Sequence, residues 1–169
     1  HDLDTNASNV TVAIFDTEFN PASDEIKDQI IETRGPSENF KPGTDDLHGT
    51  ASAEIVADMA PEANLILVST PDEAELLTQT DYIQKETNAD IISMSMGWYP
   101  SVGPLDGTDA ISQRLAEASD AGITTVVSAG NTNLNTQLDG RGNHWDGEFN
   151  DPDNDDFMEF PDGSETHAV

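Results

Sequence analysis

Four short apolar runs, rich in β-branched residues, recur along the chain. The first is Val10-Thr11-Val12-Ala13-Ile14-Phe15, which ends at Asp16, and the second is Asn64-Leu65-Ile66-Leu67-Val68-Ser69. The third spans Asp90 to Met96 and ends at Gly97, and the fourth spans Ile123 to Ala129 and ends in Gly130-Asn131. The first two read as strands buried on both faces, and the third and fourth as further strands. Between them the spacing becomes helical. Gly49 to Met59 carries Ile55, Val56 and Met59 on one helical face and stops at Pro61. In Thr70-Pro71-Asp72-Glu73, Thr70 can cap a helix, Pro71 suits its first turn and Glu73 completes a capping box, so a helix is expected to about Asn88. Asp106 to Ala121 places Ile111, Leu115 and Ala118 on one face, with Gly122 as its stop. The stretch from Thr17 to Leu47 holds Pro21, Gly35, Pro36, Pro42 and Gly43, which predicts loops, with one helix around Asp24 to Thr33. Strands alternating with amphipathic helices predict an α/β fold built on a parallel sheet with right-handed crossovers. No internal repeat is visible.

Composition sharpens this picture. The 169 residues carry 34 Asp and Glu against 6 Lys and Arg, a formal net charge of −28. Leu, Ile, Val and Phe make up only 35 of the 169 residues, which at such charge borders on the disordered range. Their concentration into regularly spaced runs decides for a folded domain. The charge argues against nucleic acid or an anionic membrane surface as partner, because phosphates would be repelled. No run approaches the roughly 18 apolar residues of a membrane span. There is no Cys, hence no thiolate or disulfide chemistry. Acids exceed bases throughout, which fits an acidic surface of the kind that halophiles use to hold water and counterions. The chain opens at His1 without Met or a signal-like segment, so a processed product or an excised piece is expected. After Asn131 the character changes: the last 38 residues hold ten acids and one Arg. The expected division is therefore 1–131 as one unit and 132–169 as a long acidic loop region or the start of a separate element.

In open parallel sheets, sites gather at the C-terminal strand ends. Asp16, Gly97 and Asn131 all stand there. Asp16 is either a turn cap or an anion that orients a His ring. His48, in Asp45-Asp46-Leu47-His48-Gly49-Thr50, is either a surface residue or a general base, and a base needs one ring nitrogen fixed by a carboxylate such as Asp16. Asn131 is either a turn residue or an amide donor for a developing oxyanion. Asp151-Pro152-Asp153-Asn154-Asp155-Asp156 alternates oxygen ligands as calcium loops do, but Asp156 stands where the sharp-turn Gly belongs. No cofactor is required by this pattern; calcium is the one ion considered.

Together these blocks resemble the subtilisin-like serine peptidases over about residues 10 to 131. Val12-Ala13-Ile14-Phe15-Asp16-Thr17 resembles the strand of the catalytic aspartate. His48-Gly49-Thr50-Ala51-Ser52-Ala53, with Ala60-Pro61-Glu62-Ala63-Asn64-Leu65 after it, resembles the catalytic-histidine block. Ile92 to Gly97 resembles the substrate-binding strand, and Gly122 to Asn131 the strand that delivers the oxyanion Asn. The order Asp before His, and their gap of 32 residues, close to the subtilisin gap of roughly thirty, agree with that family. The resemblance implies a three-layer α/β fold and an endopeptidase, secreted, acting on peptide or protein substrates. It implies that Asp16 orients His48, that His48 shuttles the proton, and that Asn131 binds the oxyanion. Ser95, Met96 and Gly97 would pair with an extended peptide, and Ser128, Ala129 and Gly130 would line the side-chain pocket.

Two departures stand out. Glu18 occupies a position where the family usually has Gly, which questions the turn after Asp16. More seriously, the family's Gly-Thr-Ser nucleophile segment is absent. After Asn131 the only Ser is Ser164, between Gly163 and Glu165, with no apolar helix following. The resemblance is thus to the N-terminal part of a subtilase, cut before its serine, which would need the remainder of the peptidase domain as its partner. Three other readings stand beside it: a catalytically dead subtilase fold that binds peptides, a doubly wound nucleotide or phospho-acceptor domain, and an acidic surface-layer module. The second expects a Gly-rich phosphate loop, and Asp16-Thr17-Glu18-Phe19 is not one. The third needs no convergence of Asp16, His48 and Asn131.

Overall fold

A computed structural model describes residues 7–97 and 107–128, together with Pro152 and the backbone of residues 157–159 and 165–167. The chain runs β1 (Thr11–Asp16), β2 (Ile30–Arg34), a short 3₁₀ turn (Ser37–Asn39), α1 (His48–Met59), β3 (Asn64–Ser69), α2 (Glu73–Glu86), β4 (Ile91–Met94), α3 (Ala110–Asp120) and β5 (Thr124–Val127). Two short strands, β6 (Phe157–Glu159) and β7 (Glu165–His167), form a separate antiparallel pair. The first five strands make one parallel sheet in the order β2-β3-β1-β4-β5.

β1 lies at the centre of that sheet, and all six of its residues are buried. The strand has apolar cover on both faces, which is why its sequence is an unbroken apolar run. On one face Ala13 and Phe15 pack with Ile66, Val68, Ile92 and Met94 under Leu76 and Ile83 of α2 and Ala118 of α3. On the other, Val12 and Ile14 pack with Leu65 and Leu67 under Ala53 and Ala57 of α1. Helix, sheet, helix is the three-layer α/β arrangement expected.

The sequence reading misassigned several details. Of the three large apolar residues expected to share the face of α1, only Val56 packs against the core. Ile55 and Met59 are 66% and 77% exposed, while Gly49, Thr50, Ala53 and Ala57 are buried. Gly49, Ala53 and Ala57 recur every four residues, so this small-residue stripe lets the helix axis approach the sheet closely. The stretch from Asp24 to Thr33 is not a helix. Ile26 is fully buried as an anchor, and turns through Ser23–Gln29 lead into β2, which pairs with β3. Ladder hydrogen bonds with β3 override the local helical spacing. In α2 the cap is Asp72, whose carboxylate accepts from the Glu75 N–H at 2.9 Å. Thr70 is instead buried against the end of β1, its N–H donating to the Asp16 carbonyl at 2.8 Å. β4 and β5 are shorter than expected, each of four residues.

The facing of α1 has a direct test. Ile14→Ala, in the buried central strand, should cost about 2–5 kcal/mol in chemical denaturation. Ile55→Ala should cost less than about 0.5 kcal/mol. A large loss from Ile55→Ala would contradict the packing described.

Candidate active site

The last residue of β1, Asp16, is level with Ser69 of β3. Phe15 is paired with Met94, and Met94 with Val127. The C-terminal ends of β3, β1, β4 and β5 are therefore aligned, and the segments leaving them emerge at one end of the sheet.

Asp16 is almost wholly enclosed, its side chain 2% exposed, whereas the His48 side chain is 67% exposed. The two meet: His48 Nδ1 lies 2.7 Å from Asp16 Oδ2. The Thr17 N–H donates to the other carboxylate oxygen, Oδ1, at 2.8 Å. An ionised carboxylate only accepts hydrogen bonds, so the proton of a neutral His48 belongs on Nδ1, and Nε2 is left as the basic nitrogen. A buried, oriented anion and a largely exposed imidazole are the arrangement that a general base requires.

His48 is the first residue of α1, following Leu47. Its position depends on Gly49. A Cβ at Gly49 would lie 2.5 Å from the Glu18 carbonyl oxygen, 2.8 Å from Asp16 Cβ and 2.8 Å from the Phe19 ring. Only a residue without a side chain lets the head of α1 sit this close to the loop after β1.

That loop is tied down on every side. The fully buried Ser69 hydroxyl donates to the Thr17 carbonyl at 2.7 Å and accepts from Asn39 Nδ2 at 2.9 Å. Phe19 N–H donates to the Asn39 carbonyl, the Phe19 carbonyl accepts from the Lys41 N–H, and the Phe19 and Phe40 rings stack at 6.0 Å. The Thr50 hydroxyl, on the second residue after His48, accepts from the Asn20 N–H at 2.7 Å. Glu18, the departure noted in the sequence, needs no left-handed backbone: among the described residues, positive φ at non-Gly positions falls on Ala7, Asn9 and Asp46. Its carboxylate forms an ion pair with Lys41, which balances the second negative charge on this loop.

The candidate substrate strand begins as β4 ends. Ser95 and Gly97 are exposed and Met96 is half-buried. Met96 packs against the α2/α3 side of the core, and its sulfur accepts from the Thr70 hydroxyl at 3.5 Å. Among the described residues, nothing lies within 4 Å of where a Cβ at Gly97 would be. Ser128 is exposed, and its N–H donates to the Met94 carbonyl at 3.0 Å, which extends the β4–β5 pairing one residue further. Ala129, Gly130, Asn131 and the acidic run at 151–156, Pro152 apart, lie outside the described residues. No group of three or more His, Cys, Asp or Glu suited to a metal ion occurs among the described residues. Local sequence does not reveal Asn39, Ser69 or the Thr50 hydroxyl as acceptor for the loop, because no local spacing links residues 39, 50 and 69 to residue 17 or 20.

Residues 7–155 match the sequence profile of the Subtilase family. The chain belongs to that family. Subtilases are serine peptidases, so the Asp16–His48 pair belongs to a family of peptide-bond hydrolases. Solved structures give the same fold. A lanthipeptide protease superposes with a TM-score of 0.59 at 19% identity, covering 77% of this chain and 42% of its own. A cold-adapted subtilisin-like serine proteinase gives 0.59 at 20% identity, covering 78% and 50%. An Aeromonas sobria serine protease, solved with its chaperone, gives 0.58 at 19% identity, covering 76% and 26%. This subtilase chain thus spans half or less of the length of those structures.

Gly49→Ala provides the test of the close approach. A backbone carbonyl cannot yield as a flexible side chain can, so α1 must move away from Asp16. The expected loss is about 1–3 kcal/mol in denaturation, together with loss of the protected His48 Nδ1 proton in NMR spectra. Wild-type stability with the proton retained would contradict this geometry.

Proposed function

We propose that Asp16 and His48 are two members of an Asp–His–Ser triad of a subtilisin-like endopeptidase. The observation that carries this reading is the 2.7 Å contact between a buried carboxylate and an exposed imidazole. His48 Nε2 takes the proton of a serine hydroxyl as its oxygen attacks the scissile carbonyl. It then gives that proton to the leaving amine as the C–N bond breaks. Water hydrolyses the resulting acyl-enzyme by the same exchange. Asp16 stays ionised throughout, holding the ring and stabilising the imidazolium.

The Asn131 side-chain amide is assigned to the tetrahedral oxyanion. Such a donor contributes roughly 10²–10³ in turnover, a magnitude that comes from a subtilisin itself. Ser95, Met96 and Gly97 are assigned to pairing with an extended peptide, an edge at which no described residue crowds Gly97. Ser128, Ala129 and Gly130 are assigned to the pocket for the side chain before the scissile bond. The nucleophile is assigned to a serine outside these 169 residues, since Ser164 lacks the Gly-Thr-Ser setting. On this reading the chain by itself does not form an acyl-enzyme.

A fluorophosphonate probe, which labels activated serines, checks both assignments. It should leave this chain unlabelled and label the protein that includes its serine-bearing segment. In that protein Asp16→Asn should lower kcat about 10⁴-fold. Labelling of the 169-residue chain would overturn the assignment of the nucleophile. Unchanged hydrolysis by Asp16→Asn would overturn the triad.

The acidic composition supports a salt-rich setting for this activity, and the family, whose members are commonly secreted, supports one outside the cell. No helix among the described residues is long and apolar enough to cross a membrane. With a net charge of −28, self-repulsion opposes the compact state until salt screens it. The melting temperature should therefore rise steadily as KCl is added from low concentration. A melting temperature independent of salt would contradict this reading of the charge.

A further inference from the structure

We infer that Ser52 is a positioning residue for the Asp16–His48 pair, holding the carboxylate plane that the imidazole needs. The inference rests on the assignment of Asp16 and His48 to a triad, and deepens it.

Ser52 stands four residues after His48 in α1, one turn on, and so shares a face with it. Its hydroxyl donates to Asp16 Oδ2 at 3.4 Å, the same oxygen that accepts His48 Nδ1. A helical hydroxyl has an easier partner close by, the carbonyl one turn back. Thr78 and Thr80 in α2 take it, each at 2.8 Å, as does Thr87 at the end of that helix at 2.6 Å. Ser52 instead faces the carboxylate. Its length is that of a loose hydrogen bond, and catalytic hydrogen bonds are commonly long in the resting state and tighten in the reacting complex.

The physical need is clear from the burial of Asp16. A carboxylate enclosed by protein depends on protein donors, and it has about four acceptor sites. Thr17 N–H supplies one donor to Oδ1. His48 and Ser52 converge on Oδ2. Rotation about the Cβ–Cγ bond of Asp is soft. With Thr17 and His48 alone, the carboxylate is pinned at one rigid point, the backbone N–H, and one mobile point, a largely exposed ring. Ser52 adds a second donor carried on the helix that also carries His48. When α1 and the end of β1 keep their distance, Oδ2 keeps its aim. Removing the hydroxyl leaves Oδ2 with the imidazole as its one donor, so the carboxylate is freer to turn and the Nδ1 proton is held in a less fixed geometry.

The test is made on the full 169-residue chain labelled with ¹⁵N at the histidine ring. The proton on His48 Nδ1 is followed by its chemical shift and its exchange with water. Thr and Val are nearly isosteric, and both are β-branched in a helix, so the pair separates the hydroxyl from the volume. Ser52→Thr should keep the wild-type shift and exchange rate. Ser52→Val should move the resonance upfield and speed its exchange roughly fivefold, the equivalent of one modest hydrogen bond lost. Asp16→Asn should abolish the resonance. Identical spectra for Ser52→Thr, Ser52→Val and wild type, with the resonance still lost in Asp16→Asn, would overturn the role of Ser52 and leave the pair standing. A wild-type spectrum without this proton would take down the pair and the inference together.

Discussion

A carboxylate withdrawn from water is costly unless donors surround it, and this fold is arranged around one such group. Asp16 ends the most deeply buried strand of the sheet, and its oxygens meet the Thr17 N–H and the His48 ring. The charge is kept in the interior at the one place where it can reach a ring that remains open to the outside. The polarity of His48 follows. With Nδ1 engaged by an anion, Nε2 is the nitrogen left to exchange protons. The whole chemical proposal for the chain rests on that asymmetry between an enclosed anion and an exposed base.

The rest of the unit holds those two atoms at 2.7 Å. The distance between β1 and α1 is set by small residues, Gly49 at the head of the helix and Ala53 and Ala57 along it. The loop between the sheet and the helix is held by side chains contributed from well-separated parts of the chain: Ser69 at the end of β3, Asn39 after β2 and Thr50 from α1. Each makes a hydrogen bond to backbone or to another of these groups, and none bears a charge. The site is therefore positioned mostly by neutral, short-range contacts. That division suits a chain whose charge is so unbalanced, because such contacts are insensitive to the salt that screens its surface.

Much of this was legible in the sequence. Apolar strand runs announced a parallel sheet, which is covered on each side at β1 and β3 but not at β5, where Val126 and Val127 are 56% and 45% exposed, and the strand ends located Asp16 and the segments after β4 and β5. The block His48-Gly49-Thr50 announced the histidine that meets Asp16. The misses have physical reasons. In α1 the large side chains predict a face through Ile55, Val56 and Met59, of which only Val56 packs against the core, whereas this helix needs proximity and so buries Gly49, Ala53 and Ala57. β2 falls within the stretch Asp24 to Thr33 expected as a helix; its partner strand lies 34 to 35 residues further on, with Ile30 opposite Leu65 and Arg34 opposite Val68, where no local pattern can show it. Thr70 looked like a cap because it precedes Pro71, but the cap is Asp72, and Thr70 is spent on the carbonyl of Asp16. Ser52 was within sight as the residue one turn after His48, but its direction depends on the facing of α1, which the hydrophobic pattern does not reveal.

The central claim is that Asp16 fixes the proton of His48 on Nδ1. Free neutral imidazole side chains carry it mainly on Nε2, so the two nitrogens of this ring should be inverted relative to an exposed histidine. ¹⁵N chemical shifts of the His48 ring, recorded above the pH at which the ring becomes neutral, read the tautomer directly. The account predicts a protonated Nδ1 and a bare Nε2. A ring protonated at Nε2 would show that the carboxylate does not hold it, and would contradict the account at its root.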